Sequence, residues 1–141
     1  MPYAPPSDET LLKLFEAART IAVVGCSPRR ERTSHQIAAA MQGRSYRIIP
    51  VHPAGGSILG ETVYTDLASI PRETRIDIVN VFRRSEHTPA LARAAVDLGA
   101  RALWLQQGGY SEEAARIATG GGLVCVMDQC IAVIHRLLTD R

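Results

Sequence analysis

Residues 21–34 read Ile-Ala-Val-Val-Gly-Cys-Ser-Pro-Arg-Arg-Glu-Arg-Thr-Ser, and no other segment indicates the architecture of this chain as clearly. The first four residues form a short apolar run that ends at a glycine. A buried strand that ends in glycine and leads into a helix is how a doubly wound α/β domain begins its nucleotide site. Of the three glycines of the usual dinucleotide fingerprint only Gly25 is present, and three arginines and three hydroxyl residues follow it. These groups suit a ligand with more negative charge than a pyrophosphate.

The composition is that of one globular domain. The chain has 141 residues, of which 46% are hydrophobic and 21% charged, and this length is enough to bury a sizeable core. We expect one domain over residues 1–141, in which residues 1–19 form an N-terminal extension and a helix packed on the rest. The formal net charge of +2 is too small to predict nucleic-acid binding.

Three features predict the compartment. The N-terminus has no secretion signal, because no basic segment is followed by an apolar one. No apolar run approaches the ~20 residues of a membrane-spanning helix. The cysteines Cys26, Cys125 and Cys130 are odd in number and lack the spacing of a disulfide framework. We therefore expect a reduced, cytoplasmic protein that binds no membrane and has no metal site. The sequence does not tell whether it has a protein partner.

Strand and helix patterns alternate five times along the chain. Apolar runs predict strands over 21–25, 46–51, 77–82, 102–106 and 123–127, with Pro50 and Pro53 stopping the second strand. Helices are predicted up to about residue 19, over 35–42, 89–98 and 111–119, and from 128 to about 138. The alternation predicts an α/β, doubly wound, Rossmann-like domain, with a five-stranded parallel sheet in the order 3-2-1-4-5 and helices on both faces.

Short polar residues before the helices predict their N-terminal caps, because their side chains accept hydrogen bonds from the first backbone amides. Ser7 precedes the first helix. The other candidates are Thr33 or Ser34 for the second helix, Ser85 or Thr88 for the third, Ser111 for the fourth and Asp128 for the last.

The loop after the first strand is the first candidate site, because ligands of doubly wound domains bind outside the carboxyl ends of the strands where the order reverses. Gly25 permits close approach of the backbone, and helix amides from Thr33 onward point at a phosphate. Arginine forks bind phosphate oxygens bidentately. The alternative is a solvated basic loop that Glu31 partly neutralises. The candidate residues are Gly25, Cys26, Ser27, Arg29, Arg30, Arg32, Thr33 and Ser34.

The end of the second strand argues against NAD. An NAD-binding domain of this kind carries an Asp or Glu there, which hydrogen-bonds to the adenine ribose. Here Val51, His52 and Pro53 follow, and the next acidic residue is Glu61. Without a carboxylate, a phosphorylated ribose is not repelled. These three residues are suited to an adenine ring, and the alternative is an ordinary turn at the end of a strand.

Two further loops reach the same crevice. Phe82, Arg83 and Arg84 follow the third strand and are candidates for contacts with phosphate or pantetheine. Arg84 could instead cover the neighbouring helix. Gln106 and Gly108 follow the fourth strand and are candidates for hydrogen bonds to the amides of a pantetheine arm.

Two cysteines are candidates for a reactive thiol. Cys130 is predicted in the first turn of the last helix, where the helix dipole favours a thiolate. The only base near it in sequence is His135, so a small packed residue is the favoured interpretation. Cys26 lies close to the proposed ligand, and a mixed disulfide with the ligand's thiol is conceivable there.

Five segments resemble the small stand-alone CoA-binding proteins, which are similar to the N-terminal CoA-binding domain of the succinyl-CoA synthetase α subunit. The resemblance covers roughly residues 20–137, and its segments stand in the right order. They are Ile21-Ala22-Val23-Val24-Gly25-x-Ser27, Tyr46-Arg47-Ile48-Ile49-Pro50-Val51-His52-Pro53, Asp77-Ile78-Val79-x-Val81-Phe82-Arg83-Arg84-Ser85, Leu103-Trp104-Leu105-Gln106-x-Gly108 and Val126-Met127-Asp128-x-Cys130-Ile131.

The resemblance implies a Rossmann-type domain that holds the phosphates of coenzyme A at the loop after the first strand. His52 stands where family members often have asparagine, and Gln129 replaces a frequent arginine beside Cys130. The synthetases use a second domain with a phosphorylated histidine and an ATP-binding subunit, so we expect no ligation by this chain alone. Carried over by position, the resemblance places Gly25, Ser27, Arg29, Arg32, Thr33 and Ser34 near phosphate, Val51 and Pro53 near adenine, and Phe82 and Arg83 along the crevice.

The sequence therefore predicts a protein that binds coenzyme A or an acyl-CoA as a small-molecule ligand, without catalysis of its own. One alternative is an NAD(P)-binding redox or sensor protein, in which the arginines suit a 2′-phosphate. Another is a thiol enzyme that uses Cys130 on a CoA thioester.

Overall fold

Seven strands and five α-helices form the computed structural model, which describes residues 2–140. Met1 and Arg141, the two ends of the predicted domain, lie outside the described residues. The strands are β1 (Thr20–Val24), β2 (Arg47–Val51), β3 (Ser57–Ile58), β4 (Glu61–Thr62), β5 (Ile78–Val81), β6 (Ala102–Leu105) and β7 (Val124–Val126). The helices are α1 (Asp8–Ala17), α2 (Thr33–Gly43), α3 (Thr88–Asp97), α4 (Glu112–Gly120) and α5 (Ile131–Thr139), with 3₁₀ turns at Leu67–Ser69 and Ser85–His87.

The predicted doubly wound α/β domain with a five-stranded parallel sheet is confirmed. The strands lie in the order β2-β1-β5-β6-β7, and β3 and β4 form a separate short hairpin. Counted among the five sheet strands, this order is 2-1-3-4-5, so the expected order 3-2-1-4-5 is corrected in one respect: the third strand pairs with β1 rather than with β2. The order in which successive strands join the sheet still reverses beside β1, between β1 and β5. The predicted crevice is therefore present at the carboxyl ends of these strands.

Pro50 explains why the third strand does not pair with β2. Pro50 lies inside β2, so the prediction that it stops the strand is wrong. A proline has no N–H to donate to a neighbouring strand and is therefore confined to the edge of a sheet. The outer edge of β2 is instead covered by Tyr64, whose N–H donates to the Pro50 carbonyl over 3.0 Å and whose carbonyl accepts from the His52 N–H over 2.9 Å.

Helices cover both faces of the sheet. One face packs against α1, α2 and α5, with Trp104 at its centre, and the other packs against α3 and α4. The strands are apolar without alternation because both of their faces are buried. The predicted N-terminal helix is present as α1, whose Leu11, Leu14 and Phe15 belong to the core under the first face. Among the described residues, no helix is both long and apolar enough to cross a bilayer.

Two of the predicted helix caps are confirmed. The Ser7 hydroxyl accepts from the Thr10 N–H over 3.2 Å at the start of α1. The Ser111 hydroxyl accepts from the Ala114 N–H over 3.1 Å at the start of α4. Both sites also carry acidic residues in the first helical turn, which complement the positive end of the helix.

The other predicted caps are wrong, and all of them lie at the carboxyl edge of the sheet. The residues before α2, α3 and α5 are Arg32, His87 and Cys130, and none of them forms a side-chain cap. The candidate cap residues hold neighbouring loops instead. Ser34 accepts from the Ser27 N–H, Thr88 donates to the Ser85 carbonyl, and Asp128, at a φ of 58°, accepts from the Gly108 N–H. A short polar side chain predicts a local hydrogen bond, but the sequence does not specify its partner.

A buried carboxylate ties the amino ends of the central strands together. Asp77 accepts hydrogen bonds from the backbone N–H groups of Arg19 at 2.8 Å and Thr20 at 3.1 Å. The guanidinium groups of Arg101 and Arg75 lie 3.1 and 3.3 Å from its other oxygen. Burial by itself raises the pKa of Asp77, but these four donors outweigh it and hold the pKa below its usual value.

We expect Asp77→Asn to lower the free energy of unfolding at neutral pH by about 1.5–3 kcal/mol, because it removes charge-assisted hydrogen bonds in a buried place. A carboxyl whose pKa is depressed by folding stabilises the protein above its ordinary pKa, and this stability is lost as the pH falls. The difference in the free energy of unfolding between the wild type and Asp77→Asn should therefore shrink below about pH 4. Urea unfolding across that range measures it. Asp140→Asn, which removes a solvent-exposed ion pair with Arg44, is the control with a much smaller expected effect. An equal effect of the two substitutions would contradict this role of Asp77.

Candidate functional site

An open cavity of about 540 Å³ lies at the carboxyl ends of β1 and β5, where the order of the strands reverses. This is the place that a doubly wound sheet offers to a ligand. Most of its lining comes from the loop between β1 and α2. The lining residues are Gly25, Ser27, Pro28, Arg29, Arg32, Thr33, Ser34, His52 and Phe82.

Gly25 forms the floor of this cavity and tolerates no side chain. Its φ is +85°, a backbone conformation that residues with a Cβ rarely adopt. A Cβ built there would lie 2.6 Å from the carbonyl oxygen of Phe82. The Gly25 N–H donates to the Val51 carbonyl over 2.9 Å, and the Phe82 N–H donates to the Val24 carbonyl over 2.8 Å. Just after β1 the backbone of Gly25, which has no side chain, therefore lies between the ends of β2 and β5.

The first turn of α2 holds the basic loop, residues 25–34, in a defined conformation. The Ser27 N–H donates to the Ser34 hydroxyl over 2.9 Å, and the Ser27 hydroxyl accepts from the Arg29 N–H over 3.1 Å. The His35 Nδ1 lies 2.9 Å from the Ser27 carbonyl, so Nδ1 carries a proton and donates. The Arg32 N–H donates to the Arg29 carbonyl over 3.1 Å. These bonds shape the loop through its own residues.

The amino end of α2 has the charge and the free donors of an anion site. Its first turn contains no acidic residue, and its N-cap Arg32 forms no side-chain cap, so no side chain of the helix offsets its positive end. Glu31, the acidic residue of the basic loop, does not line the cavity. Arg29, Arg30 and Arg32 are exposed. Within residues 2–140, none of these three guanidinium groups takes part in a salt bridge. Helix amides and unpaired guanidinium groups together favour a multiply charged anion.

A second cavity, of about 260 Å³, shares Gly25 and lies on the opposite face of the sheet, between the end of β2 and α3. Its walls are mostly apolar, and its polar groups are Thr65, Asp66, Arg83 and His87. The Arg83 Cδ lies 3.3 Å from the position that a Cβ built on Gly25 would occupy. The remaining lining residues are Val24, Val51, Pro53, Leu67, Ala90 and Leu91.

The two cavities divide the segment that the sequence analysis treated as one surface. Val51 and Pro53 line the second cavity, whereas His52 lines the first. The His52 Nδ1 accepts from the Ala54 N–H over 3.1 Å. In the neutral ring the proton is therefore on Nε2, which leaves that nitrogen as a donor.

Five of the predicted site residues line neither cavity. Cys26 is fully buried, and burial raises the pKa of its thiol to about 11. Arg30 and Arg84 are exposed, and Arg84 lies 3.9 Å from Glu86. The buried Gln106 accepts from the Ile131 N–H through Oε1 over 3.0 Å, and the Gly108 N–H donates to Asp128 over 2.7 Å. These two polar groups hold the loops before α4 and α5.

Cys130 and His135 are not arranged as a nucleophile and its base. Cys130 is the N-cap residue of α5. The buried His135 ring packs edge-on against Phe15, with ring centroids 4.8 Å apart, and against Tyr46 at 5.4 Å. Burial, with the nearby charge of Arg44, lowers the pKa of His135. Cys130 is partly buried and packs against the core, which agrees with its interpretation as a small packed residue.

Sequence reasoning missed three of the four polar residues of the second cavity, Thr65, Asp66 and His87, and it missed the hydrogen bond of His35 to the Ser27 carbonyl. Thr65 and Asp66 follow the short β3–β4 hairpin, which lies outside the strands and helices predicted from the sequence. The contact that brings them to the cavity is the pairing of Tyr64 with Val51, and no sequence pattern signals it. For His35 the signal was its position in the first turn after the basic loop.

Comparison with known proteins identifies relatives over nearly the whole chain. A family model described as a CoA binding domain matches residues 19–136. The uncharacterized protein YneT of Bacillus subtilis (strain 168) is 42% identical over 130 residues, which cover 92% of this chain and 95% of YneT.

Solved structures share the fold. A hypothetical protein from Pyrococcus horikoshii OT3 is 28% identical, with a TM-score of 0.89 over 98% of each chain. The dinucleotide-forming acetyl-coenzyme A synthetase 1 of Ca. Korarchaeum cryptofilum, in complex with phosphate and ADP, has a TM-score of 0.73 at 18% identity. That match covers 83% of this chain but 27% of the synthetase, and at this identity it shows similarity of fold alone.

Proposed function

This chain belongs to the CoA binding domain family, and from the geometry of its basic loop we propose that it binds coenzyme A or an acyl-CoA without catalysis of its own. One observation carries the proposal: Arg29, Arg32 and the uncapped amino end of α2 line one cavity beside Gly25. In this proposal the phosphates lie over Gly25 and the first turn of α2. The ligand's negative charge offsets the positive charge of the loop, which Glu31 alone neutralises only in part.

The number of positive groups supports coenzyme A over a nucleotide with only a pyrophosphate. Coenzyme A carries on the order of four negative charges, of which its 3′-phosphate supplies ~1.5 to 2. A pyrophosphate can be held by helix amides and bare glycine backbone. Two guanidinium groups at the cavity wall, with Arg30 nearby in the same loop, fit a ligand with an additional phosphate.

The second cavity suits the adenine ring. Val51, Pro53, Leu67 and Leu91 offer it apolar walls. Since Gly25 lines both cavities, the ribose would pass over bare backbone with the base on one side and the phosphates on the other.

The pantetheine arm would leave the first cavity past Phe82, along the carboxyl edge of the sheet. Gln106 and Gly108 are candidates for hydrogen bonds to the amides of this arm. The Gln106 Oε1 and the Gly108 N–H already form hydrogen bonds within the protein, so the groups that would bind the arm are the Gln106 side-chain amide nitrogen and the Gly108 carbonyl. Arg84, exposed at the start of the Ser85–His87 turn, is a candidate for contacts with the outer part of the arm.

One observation favours the alternative, an NAD(P)-binding redox or sensor protein. Asp66 lines the second cavity together with Val51, and a carboxylate near the end of the second strand is what binds the ribose hydroxyls of NAD. The experiment that tests the proposal must therefore compare both classes of ligand.

We expect coenzyme A and acetyl-CoA to raise the melting temperature of the protein and NADH and NADPH to leave it unchanged. A ligand that binds only the folded state at 100 times its Kd adds about 2.7 kcal/mol, which corresponds to roughly 8 °C for a chain of this size. Thermal melts at matched ligand concentrations measure the shift. A rise with NADH or NADPH and none with saturating coenzyme A would favour the redox alternative.

We expect the purified protein to show no thioesterase, transferase or ligase turnover with CoA esters. Burial raises the pKa of the Cys26 and Cys125 thiols to about 11, so neither is a thiolate at neutral pH. The ring of His135 contacts Thr139, Phe15 and Tyr46 rather than Cys130. An activated nucleophile needs an adjacent base, and His135 is not placed to act as one. Release of free thiol from acetyl-CoA is the assay. Steady turnover that Cys130→Ser abolishes would overturn this part of the proposal.

A further inference from the structure

Asp66 presents a fixed carboxylate at the rim of the second cavity. Its Oδ1 accepts from the backbone N–H of Ser69 at 2.8 Å and from the Ser69 hydroxyl at 2.6 Å, which caps the Leu67–Ser69 turn. Among the described residues, the hydrogen bonds to this carboxylate go to Oδ1. Its second oxygen, Oδ2, therefore stays available to a ligand, and the cap restricts where it lies.

The rest of the second cavity has mostly apolar walls. Val51 and Pro53 end one strand, and Leu67 and Leu91 come from the 3₁₀ turn and from α3. Apolar walls bind a base through its faces and do not distinguish one purine from another. Discrimination must come from the polar groups of the lining, which are Thr65, Asp66, Arg83 and His87. Thr65 and Asp66 are the two that the pairing of Tyr64 with Val51 brings beside β2.

We infer that Asp66 selects adenine over purines that carry a carbonyl oxygen at the 6-position. This inference rests on the proposed function, because it takes the base of the CoA ligand as the occupant of the second cavity. A carboxylate only accepts hydrogen bonds. The 6-amino group of adenine donates to it, whereas the 6-oxygen of hypoxanthine or guanine presents a second acceptor and is repelled.

The place of Asp66 favours the base over the ribose as its partner. Gly25 is the residue that both cavities share, so the sugar that joins base and phosphate lies over it. Asp66 is held by the turn that supplies the apolar wall at Leu67, and it therefore belongs to the part of the cavity that contains the ring.

The test compares binding of coenzyme A with that of its hypoxanthine analogue, in which an oxygen replaces the 6-amino group. The wild type should prefer coenzyme A by about tenfold, since a charge-assisted hydrogen bond at an exposed rim is lost and replaced by repulsion. In Asp66→Asn the preference should fall to about threefold or less, because an amide can donate to the 6-oxygen as well as accept.

The substitution separates recognition from structure. Asparagine caps a turn as well as aspartate does, so Asp66→Asn should melt at the wild-type temperature. Glu61→Gln removes the same charge from β4, which does not line the cavity, and should keep the wild-type preference.

Three outcomes decide the matter. A preference that collapses in Asp66→Asn and persists in Glu61→Gln supports the assignment. Tight binding of coenzyme A with equal preference in the wild type, or with a preference that Asp66→Asn leaves intact, overturns the assignment and leaves the proposed function standing. No binding of either ligand by the wild type overturns the proposed function, and the assignment with it.

Discussion

Gly25→Ala should abolish measurable binding of coenzyme A and lower the free energy of unfolding by about 2–4 kcal/mol. Two causes add at this position. A φ of +85° is strained for any residue with a Cβ, and that Cβ would lie 2.6 Å from the Phe82 carbonyl oxygen. Backbone cannot yield as the end of a flexible side chain does, so the ends of β1 and β5 must move apart. The cavity floor would then lose its shape as well as its open space.

Gly43→Ala is the matched control for this substitution. Gly43 ends α2, its added Cβ meets nothing within 4 Å, and its φ is not positive. An alanine in a helix is more stable than a glycine by roughly 0.5–1 kcal/mol, so this variant should be slightly stabilised and bind normally. Chemical denaturation and a coenzyme A titration of both variants measure the contrast. If Gly25→Ala folds and binds as Gly43→Ala does, the assigned role of Gly25 is wrong.

Arg29→Ala and Arg32→Ala should each weaken coenzyme A binding about tenfold without loss of stability. Each removes a guanidinium group that lines the first cavity. A charge-assisted hydrogen bond contributes about 1.5–3 kcal/mol before exposure and salt reduce it, and 1.4 kcal/mol corresponds to a factor of ten. If the two act independently, the double variant should lose on the order of a hundredfold.

Dephospho-CoA distinguishes the role of these arginines from general attraction of negative charge. The wild type should prefer coenzyme A, and the variants at 29 and 32 should lose much of that preference, because the 3′-phosphate is the group that the extra cations fit. Arg30→Ala removes the same charge from the same loop but from outside the cavity lining, and its effect should be smaller. Equal binding of both ligands by the wild type, with affinity indifferent to all three arginines, would mean that the loop is a solvated basic surface.

The sequence was sufficient to predict the sheet, because burial of parallel strands on both faces leaves a strong apolar signal in each of them. The strand order needed more. Pro50 marked β2 as an edge strand, and recognising that a proline can lie inside an edge strand would have placed the third strand beside β1. Caps at the carboxyl edge were not predictable in the same way, because Ser34 and Asp128 bond to residues 7 and 20 positions away.

In the candidate site too, residues consecutive in the sequence were predictable and residues brought together by the fold were not. The basic loop was recognised because its residues are consecutive and follow a buried strand directly. Asp66 was missed, because it reaches the cavity only through the pairing of Tyr64 with Val51 and the turn at Leu67–Ser69. Gln106 follows β6 as expected, but its bond to the Ile131 N–H depends on where α5 begins, and local sequence does not determine that.

Binding of coenzyme A at the basic loop is best tested by a calorimetric titration of the wild-type protein, run beside titrations with NADH and NADPH. We expect saturable binding of one coenzyme A per chain, weakened by added salt because guanidinium groups contact phosphate, and no heat of binding with either dinucleotide. Saturable binding of NADH or NADPH, with none of coenzyme A, would contradict it.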